Sequence, residues 1–228
     1  MFTELLMFIY KHIVWLVVIT PLLGSILGGL AGFLLGRWGS VVVTVSSMGL
    51  TLLLVISFAL HTVFFGHVKN EELFPMPWVD SELFYMPWVG MADSITVVML
   101  VVVCTVSFLV HVYSSEYMST DPHLSRFMSY LSLFTFFMLV LVTASNFFQM
   151  FIGWEGVGLC SYLLINFWFT RLQANKAALK AVIVNRVGDF SLAIAMFLIF
   201  YFFKSLNYED IFPGVHYFKE VKIHFFFS

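Results

Sequence analysis

Long apolar runs, broken by short polar stretches, follow one another along most of this chain. They lie near Ile13 to Leu35, Val41 to Phe65, Ile95 to Tyr113, Phe127 to Ala144, Phe147 to Phe169 and Ala177 to Phe203. A bilayer core of ~30 Å takes about 20 mostly apolar residues as helix. Lipid offers the backbone no hydrogen bonds, so each run must be a helix or a strand of a closed barrel. Barrel strands are ~10 residues long and alternate in polarity. These runs are longer and do not alternate, so the pattern predicts an all-α, polytopic helical membrane protein of about six transmembrane helices. Residues 1–203 form the transmembrane bundle, and residues 204–228 an interfacial tail. The first run is read as a retained helix: Lys11 and His12 interrupt the apolar N-terminus, and no short h-region with a small-residue cleavage site follows.

Polar residues between the runs set the sidedness. The first connection holds Arg37, and the fifth holds Arg171 and Lys176, with Lys180 following, and no acid. Both join an odd run to an even one and so share one face, the inside by the positive-inside rule. The second connection holds Lys69 against Glu71, Glu72, Asp80 and Glu82, and falls on the opposite face. It also contains a tandem repeat, ELFPMPWVDS then ELFYMPWVGM, with Met-Pro-Trp-Val starting at Met76 and again at Met86. Aromatic and β-branched residues among prolines predict an irregular or hairpin connector between helices two and three, with Trp78 and Trp88 at the headgroup level. Gly24, Gly28, Gly32 and Gly36 recur every four residues. On one helix they would make a single face for close helix approach, with Pro21 as a kink point.

Composition narrows the class further. The chain is 61% hydrophobic and 11% charged, against ~25% charged in average usage. No polar shell for a soluble globule is available, and a net charge of −2 leaves no basic surface for nucleic acid. Cys104 and Cys160 sit singly in apolar runs and read as small buried hydrophobes. The scattered histidines show no metal-ligand spacing, and no glycine-rich nucleotide motif is present.

The chemistry-bearing candidates are ionisable residues inside spans, which are costly there and point to function by default. Glu155 stands in the fifth run, in Gly-Trp-Glu-Gly-Val-Gly from Gly153. Burial favours its neutral form and a nearby cation opposes this, a balance suited to a proton relay. The alternative is a carboxyl hydrogen-bonded between helices. Arg186 and Asp189 lie at i,i+3 in the sixth run, as an ion pair or as the continuation of a hydrated path. Lys180 is near the inner end of that run, close enough to snorkel. His111, at the end of the third run, is an interfacial or hydrogen-bonded histidine, or a further relay group.

Two stretches carry a resemblance. GWEGVGLCSYLLI from Gly153 to Ile165 and NRVGDF from Asn185 to Phe190 closely resemble the antiporter-like family of membrane-arm subunits in NADH:ubiquinone oxidoreductase (respiratory complex I). The second favours the chain 5 branch. SFLVHVYSSEYM near His111 and SRF near Arg126 agree, and a weaker likeness extends from about Pro21 to Phe212.

The resemblance implies a proton-translocating subunit in the mitochondrial inner membrane, with a bacterial plasma membrane as the other setting. Glu155 matches the family's buried glutamate, Asp189 and Arg186 the acid and base of the following helix, and Lys180 a lysine at its entry. It implies no cofactor in this chain; NADH, FMN, iron-sulfur clusters and ubiquinone belong to partner chains. Family members are more than twice as long, and the lysine that partners Glu155 is expected from a helix beyond Ser228. The expectation is therefore a split subunit or fragment. Its partners are membrane lipid, other complex I subunits, and a polypeptide carrying the remaining part of subunit 5. That polypeptide would dock against spans five and six, guided by the tail from Asn207 with Phe212, Phe218 and Phe225–Phe227. A cation/proton antiporter chain and a structural scaffold that no longer conducts are the competing readings.

Overall fold

In the computed structural model the described residues are 2–65, 73–81 and 84–218. Every apolar run becomes a helix: α1 (Phe2–Leu30), α2 (Gly32–Phe65), α3 (Ser94–Tyr117), α4 (Leu124–Val142), α5 (Phe147–Ile165) and α6 (Leu172–Phe203). All of these are long and apolar enough to cross a membrane. A short helix, α7 (Tyr208–Phe218), follows, and the acidic connector forms β1 (Leu73–Ser81) and β2 (Phe84–Gly90).

The first boundary differs from the expectation. α1 ends at Leu30, and Gly32 and Gly36 belong to the start of α2. Gly36 has φ 70° and ψ −176°, which breaks the helix there and suits glycine alone. The four glycines therefore do not share one face. Gly24 and Gly28 turn to α2, where a Cβ on Gly24 would strike Ser47 and one on Gly28 would lie 2.7 Å from Thr44 Cγ2. Gly29 turns to α4, with Ser129 Oγ at 2.5 Å from its would-be Cβ. The neighbour implied by the glycines is thus inside the chain. α1 continues as helix through Pro21.

Hydroxyl groups fasten these close approaches. Ser25 donates to Ser129 O at 3.0 Å while Ser129 donates back to Ser25 O at 2.8 Å. The hydroxyls of Thr20 and Thr51 meet at 2.8 Å. Such pairs matter in lipid, where apolar contact between helices has no solvent drive. The apolar core gathers Ile13, Val14 and Val17 of α1, Val55 of α2, Leu100 and Cys104 of α3, and Leu139 of α4. Cys104 and Cys160 are both free and buried.

The repeat folds back on itself. β1 and β2 pair antiparallel with Pro77 opposite Pro87, Met76 opposite Trp88 and Val79 opposite Met86, and the register shifts between Leu73 and Met76 and again between Pro77 and Val79. Proline cannot donate to a ladder, so irregular pairing follows. The Pro87 carbonyl is taken instead by Asn146 Nδ2 at 3.0 Å, and Val89 N–H goes to Gln149 Oε1 at 3.2 Å. Trp78 packs on Trp88 and on Phe148, each at 5.2 Å between ring centres.

These contacts bear out the relative sidedness. Arg37 donates to Asp121 O and Trp168 to Asp121 Oδ2, which joins the first, third and fifth connections at one end of the bundle. At the other end Met91 N–H meets Thr143 O at 2.9 Å, and Tyr208 N–H meets Ser145 O at 3.2 Å. The tail returns there from Lys204, which caps α6 in the left-handed region at φ 57°. Burial pushes the Tyr208 phenol up to about 12. Of the aromatic residues expected to guide docking, Phe212 is exposed on α7, and Phe225–Phe227 lie outside the described residues.

Candidate functional site

α5 starts where Asn146 accepts the Gln149 N–H at 2.7 Å, and this cap sets the phase of the GWEGVG stretch. Gly153 and Gly156 face α4. A Cβ on Gly153 would lie 2.6 Å from Leu141 N, and one on Gly156 would enter the Phe137 ring. The glycines bring α5 directly onto the α4 backbone. Trp154 and Glu155 are thereby turned to α6.

There the site assembles. Arg186 Nη1 donates to Glu155 Oε1 at 2.7 Å and stands 3.6 Å from Asp189 Oδ2. Trp154 Nε1 donates to Asp189 Oδ1 at 2.9 Å. The Asp189 side chain is 10% exposed, Glu155 26% and Arg186 62%. The cluster lies well within the apolar span lengths of both helices. Fully ionised, two carboxylates and one guanidinium leave one negative charge, which a single proton neutralises. Ionisable residues at such a position in a span are costly and point to function by default.

The sequence leaves the lysine partner of Glu155 to a helix beyond Ser228; within this chain a different cation, Arg186, reaches Glu155 across the α5–α6 seam. The reason is helix phase: Arg186, one turn before Asp189, points along the same face toward α5. Arg186 also pairs more closely with Glu155 than with its i,i+3 neighbour.

Lys180 and His111 do not join the cluster. Lys180 is exposed on α6, about 9 Å along the axis before Arg186. His111 is fully buried between α3 and α4 and hydrogen-bonded there, one of the readings its sequence position offered. Its Nδ1 faces the Ser107 carbonyl at 2.8 Å and so carries the proton, while Nε2 meets the Ser132 hydroxyl at 3.0 Å. The Ser107 and Thr135 hydroxyls continue this set at 2.6 Å.

Trp154 escaped the sequence reading. Its signal was an indole beside a carboxylate in an apolar run, since a buried N–H usually finds an acceptor. The α4 hydroxyls Ser129, Ser132 and Thr135 were likewise passed over, although their spacing puts them along neighbouring helix faces. Among the described residues, no group of three or more His, Cys, Asp or Glu is placed to hold a metal ion.

Comparison with known proteins adds a family context. Residues 144–227 match the family model described as NADH:quinone oxidoreductase/Mrp antiporter, transmembrane, which covers the whole candidate site. Residues 78–128 match the model for the N-terminus of NADH-ubiquinone oxidoreductase (complex I) chain 5. The NADH-ubiquinone oxidoreductase chain 5 of Phytophthora infestans is 52% identical over 209 residues, covering 90% of this chain and 31% of that protein. Its counterpart in Arabidopsis thaliana is 52% identical over 197 residues, 86% of this chain and 29% of the relative. That of Marchantia polymorpha is 49% identical over 212 residues, 93% of this chain and 31% of the relative. The chain spans about a third of the length of the curated relatives it matches.

Proposed function

Because this chain belongs to the NADH:quinone oxidoreductase/Mrp antiporter family, in the N-terminal region of its complex I chain 5 branch, we propose that it relays protons through the membrane arm of NADH:ubiquinone oxidoreductase. The observation that carries this reading is the Arg186 guanidinium, shared by Glu155 and Asp189 along the apolar length of α5 and α6. Glu155 is the group that takes up and releases the proton. Arg186 supplies the compensating charge, and Asp189 holds Arg186 when Glu155 is neutral. Lys180 stands toward the inner entrance of the same helix and feeds the path from that side. His111 belongs to a separate hydroxyl-lined set and serves the α3–α4 seam.

The chain contributes to an enzyme without holding its redox groups: flavin, iron-sulfur clusters, NADH and ubiquinone are assigned to partner chains. The remainder of the chain 5 length seats on the open side of α6. Arg186 is uncovered there, and Ile183, Val187, Phe190 and Phe197 form an exposed apolar face. The proposed location is the mitochondrial inner membrane. Purification through a tag on this chain in mild detergent tests the assignment. NADH:ubiquinone oxidoreductase activity and the remainder of chain 5 are expected to come with it. A monodisperse chain that exchanges cations for protons when reconstituted alone would replace this reading with that of a free-standing antiporter.

A further inference from the structure

Arg186 has a carboxylate one turn away on its own helix, yet it bonds to Glu155 on the neighbouring one. Asp189 is the more buried of the two acids, and one of its oxygens is already engaged by Trp154 Nε1 at 2.9 Å. Consecutive residues of α5 thus offer α6 one donor and one acceptor, and α6 answers with one acceptor and one donor. The two bonds cross the seam in opposite directions. We propose that Trp154 is a positioning residue: its indole N–H ties down Asp189 and so leaves the Arg186 guanidinium to Glu155. Without that N–H, Asp189 is free to turn both oxygens toward Arg186, the favoured two-point geometry for a guanidinium. Glu155 then loses its cation.

The surrounding charges leave this choice to the four residues. α5 contributes Glu155 and Trp154, and α6 contributes Arg186 and Asp189. On α4, the other neighbour of α5, the ionisable residues are Arg126 and Tyr130. Arg126 donates to Phe167 O, beyond the far end of α5. Glu155 is flanked by Gly153 and Gly156, which lie level with Leu141 and Phe137, roughly two turns or more from Tyr130. This inference rests on the proton-relay reading, since the cluster is its proton site.

The test is modification of Glu155 by a lipid-soluble carbodiimide in native membranes, with the labelled peptide quantified by mass spectrometry. The reagent takes the protonated acid, and a carboxyl deprived of a neighbouring cation is protonated more of the time. Trp154→Phe removes the N–H and keeps a ring; labelling of Glu155 is expected to rise about tenfold. Trp154→His sets Nε2 where the indole has Nε1 and is expected to return labelling to within about twofold of the parent. Unchanged labelling in W154F, or an equal rise in both variants, overturns the proposal. Should W154F fail to accumulate, ultraviolet Raman comparison of the parent with Asp189→Asn reads the same bond. An indole N–H marker moving to its weakly bonded position supports the proposal, and an unmoved marker overturns it. Unaffected proton pumping in Glu155→Gln would sink the relay reading alone, because labelling does not depend on pumping.

Discussion

Two double-mutant cycles at Arg186 distinguish its two carboxylate partners. The variants are Glu155→Gln, Asp189→Asn and Arg186→Gln, with the two doubles that include Arg186. At an effective dielectric of about 20, Coulomb's law gives gross attractions of about 6 and about 5 kcal/mol for separations of 2.7 and 3.6 Å. Screening and desolvation remove most of both, since the Arg186 side chain is 62% exposed. What separates the pairs is the hydrogen bond, present to Glu155 and too long to count to Asp189. A charged hydrogen bond contributes about 1.5–3 kcal/mol. The expected coupling is therefore about 2 kcal/mol for Glu155–Arg186 and below about 1 kcal/mol for Asp189–Arg186. The assay is the rate at which this chain unfolds in mild detergent at a fixed temperature, followed by limited proteolysis and immunodetection of the intact chain. Couplings are RT ln of the rate ratios around each cycle. Additivity within about 0.3 kcal/mol for Glu155 and Arg186, or a larger coupling for Asp189, would refute the geometry.

Gly156→Ala drives a methyl into the Phe137 ring and is expected to cost about 1–3 kcal/mol through overpacking, read as faster loss of the intact chain in the same assay; an unchanged rate would mean that α4 and α5 do not touch there. Asp121, on the exposed α3–α4 connection, is held below the usual carboxylate range, first by the His123 backbone N–H and also by the Trp168 indole. A lowered folded value adds stability above the ordinary aspartate pKa of about 4, and this is lost as pH falls through the folded value. Asp121→Asn should therefore flatten the acid limb of the thermal-unfolding profile in that window, and a superimposable limb counts against it.

The fold was legible because lipid leaves one solution for a long apolar run, and the six helices sit close to where hydropathy put them. The boundary between the first two was not. Gly32 and Gly36 continue the spacing of Gly24 and Gly28, and only the positive φ of Gly36 shows that the chain turns between them. The repeat in the second connection announced paired extended segments, but not that the Pro87 carbonyl would be claimed by Asn146. At the candidate site, Glu155, Arg186 and Asp189 stood out because charge in lipid is expensive. Which of them would touch depends on the rotation of α5 about its axis. That rotation is set by Gly153 and Gly156 against α4, a contact between residues distant in sequence. The same rotation aims Trp154 at Asp189, whereas Lys180 and His111 drew notice by charge and fell elsewhere.

The central claim is that Glu155 passes protons while the redox reaction proceeds in other chains. The direct measurement is the number of protons moved per electron in sealed native membranes carrying Glu155→Gln, at matched amounts of assembled complex. NADH oxidation with an artificial acceptor is recorded alongside. The account predicts that quinone-linked proton movement falls below about half of the parent value while acceptor-linked NADH oxidation stays unchanged. A proton yield equal to the parent's, with full coupled turnover, would contradict it.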